Sequence, residues 1–404
     1  MPDVEFLNRR TPPHIVTLVL IAGLAALSLN IFLPSLPGMA AYYGVDYGFM
    51  QLSVSAYLGV SAGLQLVIGP VSDRFGRRRV LLAVIALFLL ATAGTLLAPN
   101  AALFLTFRML QAVIATGFVI SRAVVRDMVP GPQAASMIGY VTMGMSLVPM
   151  VGPVIGGALD EAVGWRANFL LLLAGGLGVG ALVWADLGET TAEGGIGFGQ
   201  QLRQYPRLLA SRRFWGYCLS AGLASGVFFA YLGGAPYVGS EVFRLSPAQV
   251  GYYFALPAVG YAAGNFLSGR HAVRAGMDRM VMAGNLVTTV AIGAALVADL
   301  AGISHPLVFF SCVGLSGLGN GLALPSANAG MMSVRPELAG TASGLGATMT
   351  VGFGAALSAL AGALLGPGTG ATPLLMLMTL TSALSILSIL WVIRRNRQLQ
   401  GLPH

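Results

Sequence analysis

Residues 69–79 read GPVSDRFGRRR, and two long apolar runs flank them. MQLSVSAYLGVSAGLQLVIGP (50–70) leads in, and VLLAVIALFLLATAGTLLA (80–98) follows. A short basic turn between two runs of membrane length is a hairpin held at one face of a bilayer. Working outward, the same design recurs: an apolar segment, a short turn, another apolar segment.

Composition agrees with this reading. Of 404 residues, 56% are hydrophobic and 9% charged, against roughly 25% charged in an average globular chain. Mean hydropathy is +0.79. A membrane helix needs about 20 apolar residues at 1.5 Å rise each. Twelve candidate spans satisfy this, near 14–36, 48–71, 80–98, 102–125, 135–159, 166–185, 214–236, 248–269, 279–299, 306–333, 338–365 and 371–393. The expected fold is all-α, with spans 1–6 in one bundle (1–185) and spans 7–12 in another (214–404). The first run is too long for a cleavable signal peptide, and it is expected to end in LPSLP (33–37).

All 22 basic residues are arginines. With a cytoplasmic N-terminus, all but Arg108, Arg122, Arg166 and Arg244 fall in the cytoplasmic turns and tails. Asp46, Asp160, Glu161, Glu241 and Asp299 fall on the other side. This is the positive-inside pattern, and it places both termini in the cytoplasm. The net charge of +8 therefore reflects topology and offers no nucleic-acid surface. Cys218 and Cys312 lie at opposite depths, which argues against a disulfide, and no cluster of ligands suggests a metal. His14, His271, His305 and His404 sit at span ends or termini. With no nucleophile–base pair, no HExxH and no phosphate loop, an enzyme is a distant third reading and is not expected. The expected partners are the lipid bilayer and a small-molecule substrate, with the chain acting as a monomer and carrying no cofactor.

The polar stretch 186–213 divides the halves. DLGETTAEGGIGFG (186–199) reads as a flexible linker. From its end onward, Phe198, Leu202, Tyr205 and Leu209 recur at helical spacing among arginines, as in a helix lying on a membrane surface. Six spans on each side suggest a duplication, as in many secondary transporters. GNFLSGRHAVRAG (264–276) faintly echoes the basic hairpin but has no counterpart of Asp73.

Three motifs carry chemistry. In the hairpin, Gly69, Asp73, Arg74, Gly76, Arg77 and Arg78 form the pattern. Gly76 suits a tight turn, and Asp73 suits a helix N-terminus, where the dipole favours an anion. In span 5, SLVPMVGPVIGGALD (146–160) follows Gly144; here Gly152, Pro153, Gly156 and Gly157 would bend the helix and admit a close neighbour. In span 4, FRMLQAVIATGFVISRAVVRD (107–127) buries Arg108 six residues inside the span. A charge at that depth is by default a functional residue. Nearer the inner end, Arg122, Arg126 and Asp127 form a charge cluster.

The hairpin resembles the loop between helices 2 and 3 of the major facilitator superfamily, where it serves as a cytoplasmic latch. The span 5 motif resembles that of the superfamily's drug:proton antiporters, and Arg108, Gln111 and Gly117 resemble its helix 4 motif. LNIFLPSLP (29–37), VGYYFALPAVG (250–260) and ELAGTASGLGATM (337–349) look like the bicyclomycin/chloramphenicol-resistance branch. The resemblance runs from about residue 15 to 393. It implies twelve helices in two bundles in the bacterial inner membrane, a central cavity, and export of small, partly hydrophobic compounds driven by the proton gradient. It also implies a cavity lined by Asn30, Tyr57 and Arg108 from one half and Phe228, Tyr231, Asn265, Asn320 and Asn328 from the other. At one position the chain departs from the branch. Where an aspartate normally precedes the aromatic-Leu-Pro element of helix 1, this chain has Asn30. A carboxylate in apolar surroundings can carry a proton, whereas an amide cannot. With Asn30 and Arg108 at similar depths, the two are expected to be neighbours, leaving Arg108 without a counter-ion. An uncoupled importer or facilitator of a nutrient or organic anion is the alternative.

Overall fold

The computed structural model describes residues 5–129, 131–190 and 205–400. It contains twelve long helical segments. In chain order they are α1 (Ile15–Tyr43), α2 (Tyr47–Phe75), α3 (Arg77–Leu97), α4 (Ala101–Met128), α5 (Gly131–Val163), α6 (Arg166–Asp186), α7 (Arg212–Val242), α8 (Pro247–Ala275), α9 (Met277–Leu300), α10 (Pro306–Ser333), α11 (Ala339–Leu364) and α12 (Thr372–Gln400). Ten of them are long and apolar enough to cross a membrane. The other two are α5 and α8. In α8, Tyr252, Tyr253, Tyr261 and Asn265 dilute the apolar run. Large apolar side chains such as Leu90, Leu177, Val290 and Leu380 point outward, 58–70% exposed, the surface that hydrocarbon requires.

Prolines and glycines set the breaks. α1 runs on past LPSLP to Tyr43, beyond the expected end at residue 36. A turn of 3₁₀ helix at Leu33–Ser35 takes up Pro34. Pro37 then falls in the first turn of the next stretch, where its missing N–H is not needed. α4 carries a 3₁₀ segment at Ala112–Thr116, and α7 ends in a π turn at Val238–Val242. Gly164, at φ 92°, separates α5 from α6, the boundary hardest to place from hydropathy.

The duplication is plain in the backbone. α2 and α8 each have 29 residues, offset by 200 positions. Each ends in a glycine with positive φ, Gly76 at 93° and Gly276 at 85°, where a side chain would be strained. The packing repeats as well: α1 lies on α5 as α7 lies on α11, and α3 touches α4 and α6 as α9 touches α10 and α12. Between the halves, α2 packs on α11 and α5 on α8, two contacts that the repeat interchanges.

The Gly-rich linker is shorter than expected at its start. Asp186 is fully buried. Its carboxylate accepts the backbone N–H of Leu7 (2.8 Å) and of His14 (2.9 Å) and the Thr17 hydroxyl (2.5 Å). Phe198 and Leu202 of the expected amphipathic helix lie outside the described residues. Tyr205 and Leu209 belong to a short helix at 205–209.

Candidate functional site

Arg108 sits at the centre of the first half with no surface exposed. Its Nε donates to the Ser53 carbonyl (3.1 Å), and Nη2 donates to the Ser28 carbonyl (2.7 Å). Nη1 donates to Gln111 Oε1 (2.9 Å) and the Ser28 hydroxyl (3.2 Å). Gln111 in turn donates to Thr92 (2.8 Å). The guanidinium lies 4.1 Å from the Tyr57 ring centre and 4.4 Å from that of Phe32. It therefore links α1, α2 and α4, and through Gln111 also α3. Among the described residues no carboxylate pairs with it. Carbonyl dipoles, an amide and two ring faces stabilise the charge instead.

Asn30 is not among the hydrogen-bond partners of Arg108. It is buried, donates to the Ala26 carbonyl (2.8 Å) and leaves Oδ1 without a partner. Its Cβ lies over Gly152 of α5. The expected Asn30–Arg108 pair is thus replaced by two sites. Counting about seven residues from Asn30 to the span end expected near residue 37 gives a depth along the axis, but the helical phase gives the two side chains different hydrogen-bond partners. Tyr57 is buried over Arg108, with its hydroxyl 3.4 Å from that of Ser28.

The hairpin forms a compact ionic knot. Arg77 is its hub: it pairs with Asp73 and, through Nε, with Asp127 Oδ2 (3.1 Å), and it donates to Ser72. Asp73 therefore does not face the N-terminus of α3. Glu189 does, its Oε1 accepting the Arg77 N–H at 2.7 Å. The reason is local: four residues along a helix place Asp73 beside the Arg77 side chain, while Glu189 arrives from the far end of α6. Arg78 donates to the carbonyls of Leu187 (2.8 Å) and Trp184 (3.0 Å). Arg74 and Arg126 are exposed, and Gly69 offers its carbonyl to Arg77 at 3.5 Å. Asp73→Asn is expected to loosen the knot by about 1 kcal/mol, a shift of about fivefold in any state the knot favours. Transport by that variant should fall several-fold at normal membrane insertion, measured on matched amounts of protein; unchanged transport would leave Asp73 without a functional part.

The span 5 motif is a packing surface on two sides. Gly152 and Gly156 face α1, and Gly156 abuts the Ile31 carbonyl. Gly157 abuts the Pro247 backbone of α8, and the Pro153 carbonyl abuts Gly251. Gly144 lies outside the residues whose surroundings are described. Among the described residues, three side chains make hydrogen bonds between the halves. Tyr47 donates to the Gly233 carbonyl (2.6 Å), Gln51 to the Ser358 carbonyl and hydroxyl (both 2.8 Å), and Ser246 to Glu161 (2.9 Å). All three lie toward the helix ends that carry Asp46, Asp160 and Glu161, opposite the arginine-rich end. The sequence reading missed Gln51; an amide one turn inside an apolar run was its only signal.

In the second half, Tyr231 is fully buried against Phe254 (ring centres 4.8 Å apart), and its hydroxyl lacks a partner. Phe228 packs beside it at 6.5 Å. Asn320 is buried with Oδ1 unpartnered. Asn265 is half-buried where α8 meets Gly321 of α10, and Asn328 is exposed. Both cysteines are free, and the Cys218 thiol lies 3.2 Å from the Met331 sulfur.

Two repeated sets of helices that meet along α2–α11 and α5–α8, with a buried polar core in the first set, form the architecture of a multi-pass membrane protein. The chain belongs to the Major Facilitator Superfamily, whose model matches residues 18–357. Among its relatives, the uncharacterized MFS-type transporter YdgK of Bacillus subtilis is 34% identical over 62% of this chain and 64% of that protein. A chloramphenicol resistance protein of Pseudomonas aeruginosa is 31% identical over 79% of this chain and 76% of its own. Multidrug resistance protein D of Escherichia coli is 29% identical over 98% and 99%. Among solved structures, a bacterial homologue of the human lysosomal transporter Spinster, inward-facing and occupied, superposes with a TM-score of 0.72 at 16% identity. The superposition covers 95% of this chain and 96% of that one. It speaks to the fold. The chain is a multi-pass secondary transporter of this superfamily.

Proposed function

We propose that this transporter exports small, partly hydrophobic compounds, antibiotics among them, from the bacterial cytoplasm by alternating access. In this reading all twelve helices span the membrane as two six-helix bundles, with both termini and the Arg77 knot in the cytoplasm. Likeness to the chloramphenicol and multidrug resistance proteins over most of the chain supports the substrate class. The observation that carries the mechanism is the placement of the contacts between the halves, whose hydrogen bonds gather at the Asp46 end. Under this orientation that end is periplasmic, so the molecule is sealed on the outside. Ligands then act by binding one state more tightly than the other. The test is uptake into everted vesicles under an imposed pH gradient, with a panel of neutral, anionic and cationic drugs. Accumulation of neutral compounds supports export; silence toward the panel, with transport of an organic anion in the other direction, overturns it.

Asn30 favours a second reading of the coupling. Asn30 cannot carry a proton, and among the described residues no carboxylate pairs with Arg108, so transport without proton exchange is the alternative. Asn30→Asp is expected to make export respond to the pH gradient by at least several-fold, because the introduced carboxyl would occupy a buried site whose charged form is costly. It should also shift preference toward lipophilic cations. Robust, pH-driven ethidium export by the unmodified protein would contradict this.

A further inference from the structure

Gln51 occupies an unusual place. It is a fully buried amide in a membrane helix, and it lies on the seam between the halves. Its Nε2 donates to both the carbonyl and the hydroxyl of Ser358 on α11, each at 2.8 Å, and its Oε1 accepts from Ser55 at 3.3 Å. Three helices clear the space for it. A Cβ on Gly233 of α7 would stand 2.6 Å from the Gln51 nitrogen, and one on Gly362 of α11 would stand 2.5 Å from its oxygen. Gly48, one turn earlier on α2, lies over the Gly362 carbonyl, 3.1 Å from where its own Cβ would be. On the same turn Tyr47 donates to the Gly233 carbonyl at 2.6 Å, and its ring packs 5.0 Å from that of Tyr237.

We propose that Gln51, together with Tyr47, is a hydrogen-bonded bolt between α2, α7 and α11 that sets how much of the protein is closed at the Asp46 end. This rests on the alternating-access reading above. Gln51 is a positioning residue: it acts through the contact between the halves and is assigned no contact with substrate. The chemistry suits a seam that must open repeatedly. A buried hydrogen bond is worth little net when water can replace it, and more when its partner is left dry. On opening, water enters and satisfies Gln51, Ser358 and Tyr47, so the bolt adds a modest, reversible bias. A wholly apolar seam of the same area would resist wetting more strongly. An ion pair would lose more on separation only where it stayed dry.

The experiment reads conformation without a substrate. Spin labels are placed at Asp46 and Thr369, both exposed and on opposite halves of the Asp46 end, after Cys218→Ala and Cys312→Ala. Pulsed dipolar spectroscopy then gives the distance distribution in detergent or nanodiscs. The parent should be dominated by a short distance. Gln51→Ala is expected to raise the population of longer distances about tenfold and Tyr47→Phe about threefold, the scale of one to two lost hydrogen bonds. Gln51→Met, which keeps the volume but loses the amide, should also lengthen the distribution relative to the parent. Tyr47→Phe removes a single oxygen and keeps the ring, so it reads the bolt even if Gln51→Ala does not fold. Distributions in folded Tyr47→Phe and Gln51→Met identical to the parent's overturn the proposal. Failure of drug export with the expected shifts intact would count against the transport reading and leave the bolt standing.

Discussion

Gly156→Leu is expected to abolish transport. A Cβ at Gly156 falls on the Ile31 carbonyl and its carbon, with Ile31 Cγ1 3.1 Å away. The obstacle is backbone, which cannot rotate aside. Overpacking a close contact typically costs about 1–3 kcal/mol, and more where backbone must move. Here the added atoms would wedge α5 from α1 directly beneath the 3₁₀ turn at Leu33–Ser35. The neighbouring Gly157 sits against α8 of the other half, so the wedge would also disturb the seam. A graded series tests this. Gly152→Ala presses only on Leu27 Cδ1, at 3.3 Å, a methyl that can shift, with Asn30 Cβ (3.8 Å) and Ile31 Cα (3.9 Å) at ordinary contact, and should retain most transport. Gly156→Ala should lose most of it, and Gly156→Leu all of it. Transport rates in vesicles, with membrane insertion measured in parallel, decide the outcome. Equal activity of Gly152→Ala and Gly156→Leu would mean that the α1–α5 contact does not limit function.

Arg108 carries the second large effect. Arg108→Met removes four donor contacts, to the Ser28 and Ser53 carbonyls, Gln111 Oε1 and the Ser28 hydroxyl. Leaving a buried acceptor unpaired costs about 1–3 kcal/mol, and four contacts are affected within one network. Transport should vanish, and the melting temperature in detergent should drop. Arg108→Lys separates two roles. A lysine keeps the charge but cannot reproduce a planar fork lying between two rings. If Arg108 were chiefly a cation waiting for an anionic substrate, the lysine variant would retain transport of anions. The geometry leads to a different expectation: both ring faces and four donor contacts are already taken, so Arg108→Lys should fail for neutral and anionic compounds alike, at least tenfold below the unmodified protein. Selective survival of anion transport would restore the substrate-binding role.

Much of this protein was legible without coordinates. The apolar period, the arginine asymmetry and the turn at 69–79 depend on local chemistry and on the bilayer, which acts on every residue in turn. They therefore specified an all-helical membrane chain and its family. Gly76, Gly152 and Pro153 were readable for the same reason, because their backbone demands are local. Tertiary structure alone decided which side chains meet. Depth along a helix can be counted from sequence, but facing depends on helical phase and on the packing of other helices, so Asn30 came to lie over Gly152 and makes no hydrogen bond to Arg108. Glu189 took the helix terminus expected for Asp73 because it returns from over a hundred residues downstream. Gln51 and Ser358, 307 positions apart, met only because two repeated halves close on one another, and no local rule encodes such a pairing.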